Sequence, residues 1–237
     1  MMVGTLMSEL KTRIISAAIL APVVLGIVWN GGIPFVLLMG VCFVLMLREW
    51  ITITRSAPNR IVWAIWGAIY IGVPCAMLAL FRVSTDGKWD EMVYLTIAVV
   101  WATDIGAYFV GRKFGKHKLA PKISPKKTWE GLIGGMVCAA VSGLLMFYVL
   151  IGGKNIAAGC RINCDSLLGF QWLPFMVLCV FLAVIAQIGD LYESWVKRKF
   201  GVKDSGNLIP GHGGLLDRMD GILSVAWAIT ILWAIVG

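Results

Sequence analysis

The sequence predicts an all-α fold, a polytopic bundle of about seven transmembrane helices with the N-terminus on the cytoplasmic side. Three observations predict it. Hydrophobic residues make up 59% of the 237-residue chain and charged residues only 14%, where a soluble domain carries roughly 25% charged residues. Apolar runs recur along the chain, each near the ~20 residues that cross a hydrocarbon core. Helices satisfy their own backbone hydrogen bonds in lipid, which makes them the natural form for such runs. Finally, lysine and arginine fall almost entirely on alternate connecting segments.

The first predicted span covers residues 13–29, behind Lys11 and Arg13. It shows no clear small-residue cleavage motif and reads as a retained span rather than a signal peptide. Asn30-Gly31-Gly32 separates it from the second span, 33–54. Glycine tolerates positive φ, so a tight helical hairpin is expected there. The remaining spans are 61–81, 91–111, 131–151, 172–193 and 220–236. With the N-terminus inside, the inward segments hold 17 of the 21 lysines and arginines, and only Arg82, Lys88, Lys154 and Arg161 lie outside. That asymmetry is a positive-inside signal. It puts two polar stretches, 112–130 and 194–219, in the cytoplasm. The chain reads as one integral membrane domain, with residues 1–90 supplying N-terminal spans and 91–237 the half that holds both polar stretches. Cys42, Cys75, Cys138 and Cys179 fall in predicted helices and read as packing residues. Cys160 and Cys164 fall in an outer loop, where a disulfide depends on an oxidising compartment. No Cys/His spacing matches a zinc finger.

The acids carry more information. Asp104 interrupts an apolar span, and a carboxylate at that depth should face the bundle interior, a partner or a water-filled cavity. Tyr108 lies four residues on, on the same helical face. An interhelical hydrogen bond is the plainer reading of Asp104; a site role is favoured because its helix leads straight into the basic loop. Asp190, Glu193 and Lys197 are spaced i, i+3, i+7 and share one face. Asp217 and Asp220 stand three apart beside Arg218. Two carboxylate clusters near one membrane surface can supply hard oxygen ligands to a divalent cation. Salt bridges to the many lysines are the alternative, and they account poorly for Asp190 and Asp220, which abut apolar helix.

The basic loop from Arg112 to Lys127 would attract anionic headgroups at ~1 kcal/mol per residue. Within it, Ser124-Pro-Lys-Lys-Thr-Trp-Glu130 is more specific. Pro125 restricts the loop, Thr128 can cap the next helix, and Glu130 suits that helix's positive end. A helix N-terminus beside Lys126 and Lys127 is a natural phosphate seat. Gly111-Arg-Lys-Phe-Gly-Lys116 is not a Walker loop, having the wrong spacing and no Ser or Thr after the lysine. His212 sits in Pro-Gly-His-Gly-Gly, where phosphate or substrate binding is favoured over a general-base role. These parts suit transfer of a phosphorus-centred group, in which cations neutralise charge and positioning does most of the work.

The run Ser194-x-Val-Lys-Arg-x4-Lys203-Asp204-x-Gly-x2-Ile-Pro-x-His212-Gly-Gly-Leu-x-Asp217-Arg218-Met-Asp220 resembles the signature of the CDP-diacylglycerol synthase (phosphatidate cytidylyltransferase) family. Asp104-Ile-Gly-Ala-Tyr, Gly111-Arg-x-Phe-Gly-Lys, Ser124-Pro-Lys-Lys-Thr-Trp-Glu-Gly131 and Gly189-Asp-Leu-x-Glu-Ser194 are similar to it too. The match is dense over 101–131 and 187–220 and vague before residue 90. Many members carry additional N-terminal spans. The resemblance implies a homodimeric membrane enzyme that condenses CTP with phosphatidic acid to give CDP-diacylglycerol and pyrophosphate. It also implies Mg2+, with K+ as a second cation, and no nucleic-acid partner. Carried over, it makes Asp190, Asp217, Lys197 and Arg218 catalytic. It assigns substrate binding to Lys126, Lys127, Arg198, Lys203, His212, Asp104, Ser194 and Arg112, and metal binding to Asp190, Asp217 and Asp220. Three other readings compete. A CTP-dependent polyprenol or lipid kinase would release CDP. An ion-coupled transporter would explain the intramembrane acids but not the charged strip, and the chain lacks the repeated halves many transporters show. A lipid-binding membrane anchor is the blandest.

Overall fold

The computed structural model describes residues 18–83, 90–157, 172–208 and 213–236. In chain order the elements are α1 (Ala18–Asn30), α2 (Gly32–Thr54), α3 (Arg60–Val83), α4 (Asp90–Phe114), β1 (Lys118–Ala120), β2 (Ser124–Thr128), α5 (Trp129–Ala157), α6 (Trp172–Lys199) and α7 (Leu216–Val236). Helices α2 to α7 are each long and apolar enough to cross a membrane, and α1 is a shorter apolar helix. The all-α polytopic expectation holds, and the chain is an integral membrane protein.

Three features that the hydropathy reading did not give have physical reasons. Helix α6 runs past residue 193 to Lys199 because Lys and Arg are good helix formers even where the chain turns polar. It ends at Gly201, whose φ is 72°. There the Val202 N–H donates to the Lys197 carbonyl at 2.9 Å and the Gly201 N–H to that of Arg198 at 3.2 Å, the paired bonds of a Schellman stop. Helix α7 begins at Leu216, so Asp217 and Asp220 are helical. And residues 118–128 form a short antiparallel hairpin, with Lys118 opposite Thr128 and Ala120 opposite Ser124.

The chain folds into two compact units, residues 1–93 with 192–237, and residues 94–191. In the first, α1 and α2 are joined through Gly31, with φ of 64°. The Arg82 guanidinium donates to the carbonyls of Val28 and Trp29 at 2.7 and 2.9 Å, covering the open end of α1. Trp50 of α2 is fully buried. Its indole donates to the Trp63 carbonyl at 2.8 Å, and its ring packs on Trp63 and Tyr70 of α3. Gly67 leaves room for that indole, since a Cβ there would collide with it. Helix α7 joins through Trp227, whose N–H donates to the Tyr70 carbonyl at 2.9 Å.

The second unit rests on small residues. Gly106 of α4 lies against the Gly134 carbonyl and Cys138 of α5, and Gly134 against Val110, so neither position has space for a Cβ. Close backbone approach of this kind is how helices associate where lipid supplies no hydrophobic drive. Further along α5, Gly143 meets Cys179 of α6, and Phe147 packs on Phe175.

Candidate functional site

In the unit of residues 94–191, the hairpin presents its basic residues on alternate sides, as a strand must. Lys126 is exposed and Lys127 is turned inward. The Lys127 ammonium stands 2.7 Å from Asp190 Oδ2 and donates to the Gln187 carbonyl at 3.2 Å. Thr128 caps α5, accepting the Gly131 N–H at 3.1 Å, as the sequence led us to expect. Glu130 fixes the hairpin to that helix start: its carboxylate accepts the His117 N–H at 3.2 Å and lies 2.6 Å from His117 Nδ1. On α4, Asp104, Tyr108 and Arg112 share one exposed face, and the Arg112 guanidinium donates to the Tyr108 hydroxyl at 2.8 Å.

In the other unit, the polar strip is organised around Lys197. Its ammonium lies 2.6 Å from Asp217 Oδ1 and 3.2 Å from Glu193 Oε1. The Glu193 side chain is 1% exposed, and among the described residues neither of its oxygens has a hydrogen-bond partner. Asp217, in the first turn of α7, also accepts the backbone N–H of Ser205 at 3.0 Å and of Gly214 at 3.2 Å. Asp220 lies one turn on, near enough to Glu193 for their charges to interact, and its Oδ1 accepts the Gly221 N–H at 2.7 Å. From α2 comes Glu49, 7% exposed. Its carboxylate accepts the Leu215 N–H at 2.9 Å, the Leu216 N–H at 2.8 Å and the Ser205 hydroxyl at 3.0 Å.

Membrane helices that end in a clamp of lysines, arginines and carboxylates suit an anionic, phosphorus-bearing substrate. The comparisons with known proteins agree. The model of the cytidylyltransferase family matches residues 11–87 and 59–236. A phosphatidate cytidylyltransferase of Brucella suis is 35% identical, over 97% of this chain and 95% of its own. One from Rickettsia bellii is 40% identical over 92% and 88%, and one from Staphylococcus haemolyticus 35% over 86% and 71%. The chain belongs to the cytidylyltransferase family.

A cytidylyltransferase is a nucleotidyltransferase and uses CTP. The residues expected from the sequence fall as follows. Lys197 meets Asp217, and Lys127 meets Asp190. Arg198, Lys203 and Arg218 are exposed, Ser194 is half-buried on α6, and the Arg198 guanidinium donates to the Val202 carbonyl at 3.3 Å. His212, Cys160 and Cys164 lie outside the described residues. Among the described residues no three His, Cys, Asp or Glu side chains are grouped so as to enclose a metal. The donors still suit Mg2+, which usually takes one or two carboxylates and completes its shell with phosphate and water. The Glu193 carboxylate, ion-paired with Lys197 and without a hydrogen-bond partner among the described residues, is a further hard-oxygen group in that cluster.

The sequence reading missed Glu49, and it named Glu193 without assigning it a role. A signal for Glu49 existed: it is an acid inside an apolar run, the same anomaly that drew attention to Asp104.

Proposed function

We propose that this cytidylyltransferase is a phosphatidate cytidylyltransferase that joins CTP to phosphatidic acid, giving CDP-diacylglycerol and pyrophosphate. The observation that carries the reading is the near-full-length similarity to relatives bearing that name. A phosphate oxygen of the lipid attacks the α-phosphorus of CTP. The new P–O bond forms as the bond from the α-phosphorus to the α–β bridging oxygen breaks, and pyrophosphate leaves. The attacking oxygen is ionised near neutral pH, so no general base is required. Lys126, Lys127, Arg112, Arg198, Lys203, His212 and Arg218 bind the phosphates of the two substrates, and Lys197 orients Asp217. Ser194 and Asp104 contribute polar contacts to substrate. Asp190, Asp217 and Asp220 would hold Mg2+, with K+ as a second cation, and the cations supply neutralisation of charge on the triphosphate. The enzyme is read as a homodimer in the bacterial inner membrane with its chemistry on the cytoplasmic side, to which the positive-inside asymmetry would assign the basic segments and where CTP is available.

The test uses Asp190→Asn and Asp217→Asn in detergent, assayed for pyrophosphate release from CTP and phosphatidic acid with Mg2+. Each is expected to lose at least about a hundredfold in kcat, the scale of a lost transition-state contact. Wild-type rates in folded variants would refute the assignment of these carboxylates.

A further inference from the structure

We infer that Glu49, in the N-terminal region where the sequence is least specific, is a positioning residue for the Lys197–Asp217 pair. Its carboxylate is buried and sits in a cradle of backbone. The Leu215 and Leu216 N–H groups, unsatisfied by α7 itself because they precede or open its first turn, donate to the two Glu49 oxygens at 2.9 and 2.8 Å. The Ser205 hydroxyl donates to Glu49 Oε2 at 3.0 Å. Two glycines of the strip permit this approach. A Cβ on Gly214 would meet the Ser205 hydroxyl and Glu49 Oε2, and one on Gly206 would meet Glu49 Oε1. Negative charge at a helix start is also favoured by the helix dipole.

The consequence reaches the site through two short links. Ser205, held by its hydroxyl to Glu49, donates its N–H to Asp217 at 3.0 Å. Leu216 immediately precedes Asp217, so anchoring its N–H fixes where the Asp217 side chain starts. Asp217 then holds Lys197 at 2.6 Å. Glu49 thereby sets two points of the strip, the turn at Ser205 and the start of α7, relative to the lysine at the end of α6. The binding groups already described do not include it. Its part in the reaction rests on the cytidylyltransferase reading; the latch itself does not.

The experiment compares wild type, Glu49→Gln and Glu49→Asp in detergent, with kinetics and amide hydrogen exchange on the same samples. In Glu49→Gln the side chain keeps its shape but loses its charge. The Leu215 and Leu216 amides are expected to exchange about tenfold faster while α2 and α3 keep wild-type protection. The kcat is expected to fall roughly a hundredfold, the penalty of a small misplacement of catalytic groups, with KM for either substrate changing less than about threefold. Glu49→Asp, which keeps the charge on a shorter arm, recovers part of both. Wild-type exchange and kcat in Glu49→Gln would overturn the inference. So would a uniform loss of protection across α2, α3 and α7 with kcat per folded molecule unchanged, which is the pattern of a merely structural residue. Wild-type protein that forms no CDP-diacylglycerol would instead overturn the proposed function, and the exchange contrast would still decide the latch.

Discussion

One ammonium, that of Lys197, lies within ion-pairing distance of two carboxylates, Asp217 and Glu193. Its side chain is 11% exposed and that of Glu193 1%. Removing one partner of a buried pair is costly because the other charge remains. Lys197→Met should therefore destabilise the protein by about 3 kcal/mol, read as a lower detergent melting temperature. Lys197→Met combined with Glu193→Gln should recover stability but not activity, because the amide no longer needs a counter-charge while the Asp217 clamp stays broken. At this scale the sequence was partly legible. Charge type and helical spacing singled out Lys197, Asp217, Lys127 and Asp190, though which lysine meets which acid was not readable. The spacing of Asp190, Glu193 and Lys197 on one face suggests a single cluster. The structure instead gives Asp190 to Lys127 and Lys197 to Glu193 and Asp217. Glu49 was illegible as a partner of the strip because its contacts lie 156 to 167 residues away, and no periodicity links positions so distant.

Among the elements, apolar runs located every long helix, with ends off by up to six residues, because the bilayer demands length and apolarity. Hydropathy could not see that α6 continues through its basic end or that α7 starts at Leu216. The Ser124–Thr128 strand was hidden for a different reason: Ser-Pro-Lys-Lys-Thr has no alternating apolar face, and the strand is held by its hairpin partner and by the Glu130–His117 contact. The glycine contacts of α4 and α5 give the element-scale prediction. Gly134→Val would drive methyl groups into Val110 and the Gly106 carbonyl. We expect roughly 2 kcal/mol of destabilisation, in the range of overpacked cores, and lowered activity through the displaced hairpin that follows α4. Gly40→Ala, with open space around its Cβ, should not lower the melting temperature and should raise it slightly, since alanine favours a helix interior over glycine. Equal effects from the two changes would contradict the packing account.

For the molecule as a whole, composition and charge asymmetry were enough to give class and membrane character, and the strip from Ser194 to Asp220 was enough to give the family. What chain-level patterns could not supply is the architecture of the strip itself, in which a glutamate from α2 anchors a loop and a helix start far along the sequence. The central claim, transfer of a cytidylyl group to a lipid phosphate, is tested most directly by following the phosphorus. Purified enzyme is given phosphatidic acid, Mg2+ and CTP labelled either at its α- or at its γ-phosphorus, and the lipid and aqueous phases are counted. The account predicts α-label in the lipid phase and γ-label in aqueous pyrophosphate. Label from the γ-position in the lipid, with CDP released, would mean phosphoryl transfer and would contradict it.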